Sequence, residues 1–155
     1  MTKFKITAFA LAFAFAFAFA LALLMPAPSF AQDKTSPLVG AWRMTSLEFG
    51  TEGNLQPVPY SGQVVFTEFG TMSVQAMNPD ANAPATKYEM NGYEAYYGTF
   101  TIVDDAKTFV VTVESSLVRN LIGQSMTRIF EVSGDTLVLT PTDPAEGWRA
   151  TYERY

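Results

Sequence analysis

The chain has 155 residues, with 15 acidic and 10 basic side chains and neither histidine nor cysteine. The missing types exclude Ser-His and Cys-His nucleophile pairs, zinc sites built on imidazole or thiolate, and disulfide staples. A formal charge of −5 leaves no basic face for nucleic acid.

At the start, Lys3 and Lys5 precede eighteen consecutive apolar residues from Ala8 to Met25, then Pro26, Pro28 and the triplet Ser29-Phe30-Ala31. A positive end, an apolar stretch and a small-x-small cleavage site are the layout of a secretory signal. The layout predicts a signal peptide over residues 1–31, a linker over 32–37 and one domain over 38–155. An uncleaved anchor is the alternative, because the apolar stretch sits at the lower edge of what spans a bilayer. The two prolines favour cleavage, since a peptidase needs extended chain there, and the absence of cysteine excludes a lipid-modified anchor. The expected product is exported, periplasmic or extracellular, with no stable membrane anchor after cleavage.

Beyond the leader, short segments rich in β-branched and aromatic residues alternate with turn signals. They predict strands over residues 40–49, 63–67, 71–77, 93–103, 107–115, 125–132, 136–140 and 148–155. Glu68-Phe69-Gly70, Asp104-Asp105-Ala106 and Ser133-Gly134-Asp135 supply the residues that tight hairpins need. Two connections are longer. Residues 78–91 hold Pro79 and Pro84 and predict a flap with one or two helical turns; residues 116–124 are too apolar for a solvated loop and predict a segment folded over one barrel end. Sequential hairpins make neighbours antiparallel. The expected fold is all-β, an eight-stranded up-and-down antiparallel barrel with a short helical flap, with an open two-sheet sandwich as the alternative.

In such a barrel the first strand begins at the end where the last one finishes. Trp42 and Arg154 are then expected to stack and close the floor, with Gly40 letting the chain pass beneath them. Alternation puts Met44 and Ser46 on the same side as Trp42. On the third predicted strand Met72, Val74 and Ala76 form one face and Ser73, Gln75 and Met77 the other. The second face carries polar handles and is the candidate cavity wall, although alternation leaves open which one points inward. Tyr97 offers an aromatic body with a hydroxyl tip. Glu114 and Arg128 each interrupt an apolar strand segment, and Arg128 could receive a ligand's polar head; the alternative is an exposed cross-strand ion pair. The candidate ligand-binding residues are therefore Met44, Ser73, Gln75, Met77, Tyr97, Glu114 and Arg128. The acidic turns at Asp104-Asp105 and at residues 143–146 lack the alternating oxygens of a calcium loop, so no metal or other cofactor is expected.

Leu38-Val39-Gly40-Ala41-Trp42-Arg43 contains a Gly-x-Trp opening, and Gly70-Thr71-Met72-Ser73-Val74-Gln75, Tyr96-Tyr97-Gly98-Thr99-Phe100, Val113-Glu114-Ser115-Ser116-Leu117, Gly134 to Thr140 and Tyr152-Glu153-Arg154 follow in order. In these motifs the chain resembles the bacterial and fungal lipocalin-like domain family. The resemblance implies a lipocalin-type barrel that binds a small, largely apolar molecule. Val111 and Thr112 stand where many relatives carry a His pair, and Arg119, Asn120 and Leu121 where they carry Pro-Asn-Trp; an activity resting on those imidazoles is not expected. The functional expectation is a binder or carrier of a small apolar ligand. The alternatives are an isomerase or cyclase using Tyr97, Glu114 or Arg128 in the same cavity, and a barrel acting on a protein partner through its outer surface or loops.

Overall fold

The computed structural model describes residues 36–51, 53–82, 85–104 and 107–155, and the leader expected over residues 1–31 lies outside them. Nine strands follow in order: β1 (Gly40–Thr51), β2 (Asn54–Val58), β3 (Ser61–Phe66), β4 (Thr71–Met77), β5 (Tyr93–Asp104), β6 (Thr108–Ser116), β7 (Ser125–Ser133), β8 (Thr136–Pro141) and β9 (Trp148–Arg154). Each pairs antiparallel with the next around the sheet, and β1 pairs with β9 to close it. Closure leaves no long unpaired edge.

Nine strands fill eight places. β3 runs beside Gly40 to Arg43 of β1, and β2 runs beside Leu47 to Thr51 of the same strand. Pro59 and Tyr60 separate the two. Residues 54–58 have only Leu55 and Val58 as large apolar side chains and carry Pro57, so their strand signal is weak. They become a strand because the long β1 offers them a partner.

A bulge between Met44 and Ser46 changes the parity of β1. Trp42 and Met44 point inward below it, and Leu47 and Phe49 above it, as their contact with the core and the cavity shows. Ser46 pairs with Thr151, between the inward-facing Ala150 and Tyr152 of β9, and so is turned away from the interior. The expectation that it follows Trp42 fails through this one extra residue.

The described part of the 78–91 connection consists of turns and contains no helix. Asn78 Oδ1 accepts from the Asp80 amide at 3.0 Å, and Asp80 Oδ1 from the Asn82 amide at 2.9 Å. Such short side chains capture amides that a helix would have used. The ends of the segment are held by the Asn78 amide donating to Gly92 O at 2.8 Å and by a bridge between Met90 and Tyr93. Among the described residues two 3-10 helices occur elsewhere, at Arg119–Leu121 and Pro144–Glu146. The first lies in the apolar β6–β7 connection and buries Leu121.

The interior is divided along the barrel axis. Phe66 meets Phe100 edge-on at 5.1 Å and Phe109 at 5.4 Å, and Phe109 lies 6.1 Å from Phe130. With Leu38, Trp42, Val64, Val111 and Leu137, all almost without solvent exposure, these rings fill the end where the β3–β4 and β7–β8 turns lie. The other end, where the long connections emerge, retains space.

Candidate functional site

The filled end closes on Trp42 and Arg154. The Arg154 guanidinium lies 4.0 Å from the centre of the Trp42 ring and donates to Val39 O at 2.9 Å and Pro37 O at 3.3 Å. The Trp42 indole nitrogen donates to Leu38 O at 2.8 Å. Gly40 sits at φ +144, and a Cβ there would collide with Arg154 Nη1. The stacked cation and the spent donors make this end a structural plug.

Above the phenylalanine cluster lies a cavity of about 70 Å³. Its apolar wall includes Met44, Leu47, Met72, Val74, Phe109 and Leu139, drawn from β1, β4, β6 and β8. The same space is lined by Tyr60, Glu89, Glu94, Tyr96, Arg128 and Tyr152. Glu94 and Tyr96 are inward residues of β5, opposite Ala76 and Val74 of β4. Glu89 comes from the connection between those strands, and Tyr60 from the β2–β3 junction.

The charged groups are partnered unequally. Arg128, only 7% exposed, donates from Nη1 to Thr127 O at 3.0 Å and to Glu146 Oε1 at 3.4 Å, and from Nη2 to the Tyr88 hydroxyl at 3.0 Å and Met126 Sδ at 3.4 Å. Its guanidinium also lies 5.7 Å from the centre of the Tyr88 ring and 5.2 Å from that of Trp148. Tyr88 in turn donates to Glu146 Oε2. Burial pushes the Glu146 carboxyl up, but the Tyr88 hydroxyl, Arg128, Trp148 and Lys87 together outweigh it and hold the group below the ordinary carboxylate range.

Glu89 and Glu94 are placed differently. Glu89, 7% exposed, accepts from the Tyr60 hydroxyl at 2.6 Å through Oε1, while its Oε2 is buried without a partner among the described residues. The Glu94 side chain makes no hydrogen bond among the described residues. Desolvation first, and then the charge of Glu89, push its carboxyl up to about 7 against the opposing pull of Arg128. Burial also raises the Tyr96 and Tyr152 hydroxyls, so both remain protonated at neutral pH. No cluster of three or more acidic side chains suited to a metal ion occurs among the described residues.

Of the seven residues proposed from sequence as ligand contacts, Met44 and Arg128 line this cavity. Ser73, Gln75 and Met77 lie on the opposite face of β4 from the buried Met72, Val74 and Ala76. Gln75 and Met77 border a shallow outer depression with Arg43 and Tyr155. Tyr97 pairs with Ser73, is 51% exposed, and stands outside where its neighbour Tyr96 stands inside. Glu114 is exposed and lies beyond the β6–β7 register, which ends at Thr112 opposite Ser125; Arg128 faces Phe109 instead. The acidic partner of Arg128 is Glu146, not Glu114. The residues missed were Glu89, Glu94 and Tyr96. For Glu94 a signal existed, because it shares parity with Tyr96, Phe100 and Ile102, the more apolar side of β5.

Residues 39–152 match the family model of the lipocalin-like domain. The chain belongs to the lipocalin-like domain family. No curated protein matches it. Solved structures similar to this lipocalin-like domain include a lipocalin-like protein from Bacteroides uniformis ATCC 8492, 15% identical, with a TM-score of 0.49, the match covering 77% of this chain and 99% of that one. Another is an uncharacterized protein from Bacteroides eggerthii DSM 20697, 19% identical, with a TM-score of 0.47 over 76% of this chain and 99% of that one. A closed lipocalin-like barrel with space inside has a general capacity for ligand binding, and the cavity above the phenylalanine cluster is where this one would exercise it.

Proposed function

We propose that this lipocalin-like domain is an exported protein that binds or carries a small, largely apolar molecule in its barrel cavity. The observation that carries the reading is the cavity itself, mostly apolar in its lining and polar where Glu89, Glu94, Arg128 and Tyr60 face it. Concave, mostly apolar sites with a few placed polar groups are the usual form of small-molecule sites. At about 70 Å³ the space equals roughly five water-sized volumes, which suits a small molecule and not a long lipid. Export is supported by the two lysines, the apolar run and the Ser29-Phe30-Ala31 triplet that follows it.

Thermal unfolding of the domain with small neutral aromatic and aliphatic compounds tests the binding reading. A ligand at a hundred times its Kd is expected to stabilise the protein by about 2.7 kcal/mol, and Val74→Trp, which fills the space, is expected to abolish the shift in a protein that still folds. No shift across the panel removes the carrier reading. For export, the expected outcome is a product beginning at Gln32 in the periplasm or medium; intact chain retained in the cytoplasm overturns it.

Acid–base catalysis in the same cavity is a second reading. Tyr97 and Glu114 are on the outside and cannot serve it, but a carboxyl near pH 7 beside two buried tyrosines suits proton transfer. Turnover of any bound compound that disappears in Glu94→Gln, with binding retained, would favour this reading over simple carriage.

A further inference from the structure

The polar groups around the cavity are not balanced. Arg128 already donates to Thr127 O, Glu146, Tyr88 and Met126, so its guanidinium has little left to offer a guest. On the acidic side the reverse holds: among the described residues Glu89 Oε2 is buried with no donor, and Glu94 lines the same space. A buried carboxylate oxygen left without a donor is costly, and native interiors rarely leave one so. The missing partner should therefore be a donor, and preferably one that carries positive charge.

We propose that the cavity selects a small apolar molecule bearing a protonated amine, with its N–H groups directed at Glu89 and Glu94 and its apolar body against Met44, Met72, Phe109 and Leu139. The proposal rests on the binding function proposed above and names the ligand class. An ammonium group supplies three donors and no acceptor, which matches the free Glu89 oxygen and the Glu94 carboxyl once its proton has left. Charge-assisted bonds of this kind are the strong ones. The Tyr60 hydroxyl holds Glu89 in place from the other side at 2.6 Å, so the free oxygen is positioned before any ligand arrives. A carboxylate ligand, the kind a free guanidinium receives, would meet two acidic side chains and an Arg128 already engaged.

The test compares benzylamine with the similarly sized benzyl alcohol, toluene and benzoate, by calorimetry on the mature domain. Benzylamine is expected to bind about tenfold more tightly than toluene or benzyl alcohol, since hydrogen bonds to charged groups contribute that much or more, and benzoate most weakly. Glu94→Gln and Glu89→Gln are each expected to reduce the amine-to-toluene ratio to about threefold or less, whereas Glu114→Gln on the outer surface leaves the ratio as it was. Circular dichroism confirms that each variant is folded, and the ratio within one protein cancels any general loosening. Equal binding of benzylamine, benzyl alcohol and toluene overturns the amine selectivity while leaving the carrier function standing. Preference for benzoate overturns it in favour of an acid-binding site at Arg128. Binding of none of the four removes both the selectivity and the function on which it rests.

Discussion

Glu94 carries a cost that its neighbours do not cancel. The folded protein holds its proton to about pH 7, whereas an unfolded chain releases it near the ordinary value for Glu. Between those values the folded state binds more protons, so stability falls as pH climbs and the loss is complete above about 7. The group facing it with the same sign is Glu89, and the one with the opposite sign is Arg128; Tyr96 and Tyr152 stay neutral throughout. Glu94→Gln is therefore expected to be more stable than the parent at pH 8, by up to about 3 kcal/mol, and equal to it at pH 4. Denaturant unfolding at the two pH values measures this, and a difference independent of pH would show that Glu94 is not held neutral. Glu146 runs the other way. Its lowered carboxyl contributes stability above the unfolded value and loses it on acidification.

At the scale of elements, the β8–β9 connection sets the position of Glu146. Asp143 caps the short helix at Pro144–Glu146 by accepting from the Ala145 amide at 2.9 Å, and Gly147 ends it at φ 61. A side chain on Gly147 would strike the Gly50 carbonyl, so only glycine lets this loop pack against β1 with Glu146 turned toward Arg128. Glu146→Ala is expected to cost about 3 kcal/mol, because it leaves a buried guanidinium without its carboxylate. Lys87→Ala, removing a cation that is 65% exposed from the same carboxylate, should cost less than about 1 kcal/mol. Equal effects in chemical denaturation would mean that Arg128 draws no special benefit from Glu146. The same scale explains what was legible in sequence. Strand positions were, since runs such as Phe109 to Val113 lie between turn residues, and the lipocalin-like motifs sit on them in order. Facing was not. β4 has methionine on both faces and β5 has tyrosine on both, so composition could not separate Tyr96 from Tyr97. Glu114 follows an apolar run but stands beyond the end of the β6–β7 pairing, a fact of register that no local pattern records. Glu89 required knowing how the 78–91 connection folds, and there side-chain hydrogen bonds displaced the expected helix.

At the scale of the whole molecule, the lower interior supplies stability and the upper interior supplies space. Trp42→Ala is expected to cost about 3 to 5 kcal/mol, as large buried aromatics do, and it also strips Arg154 of its stacking surface. Ligand affinity in a protein still folded at low temperature should change little, because the plug and the cavity are separated by the phenylalanine cluster. Parallel titrations of unfolding and of ligand binding check that separation. The arrangement also bears on any guest. With one end plugged, the connection between β4 and β5 brings Tyr88 and Glu89 to the cavity from the opposite end. Two of the side chains that would touch a bound molecule therefore belong to a loop and not to the sheet, so their placement can vary in sequence without disturbing the barrel's ladder of backbone bonds.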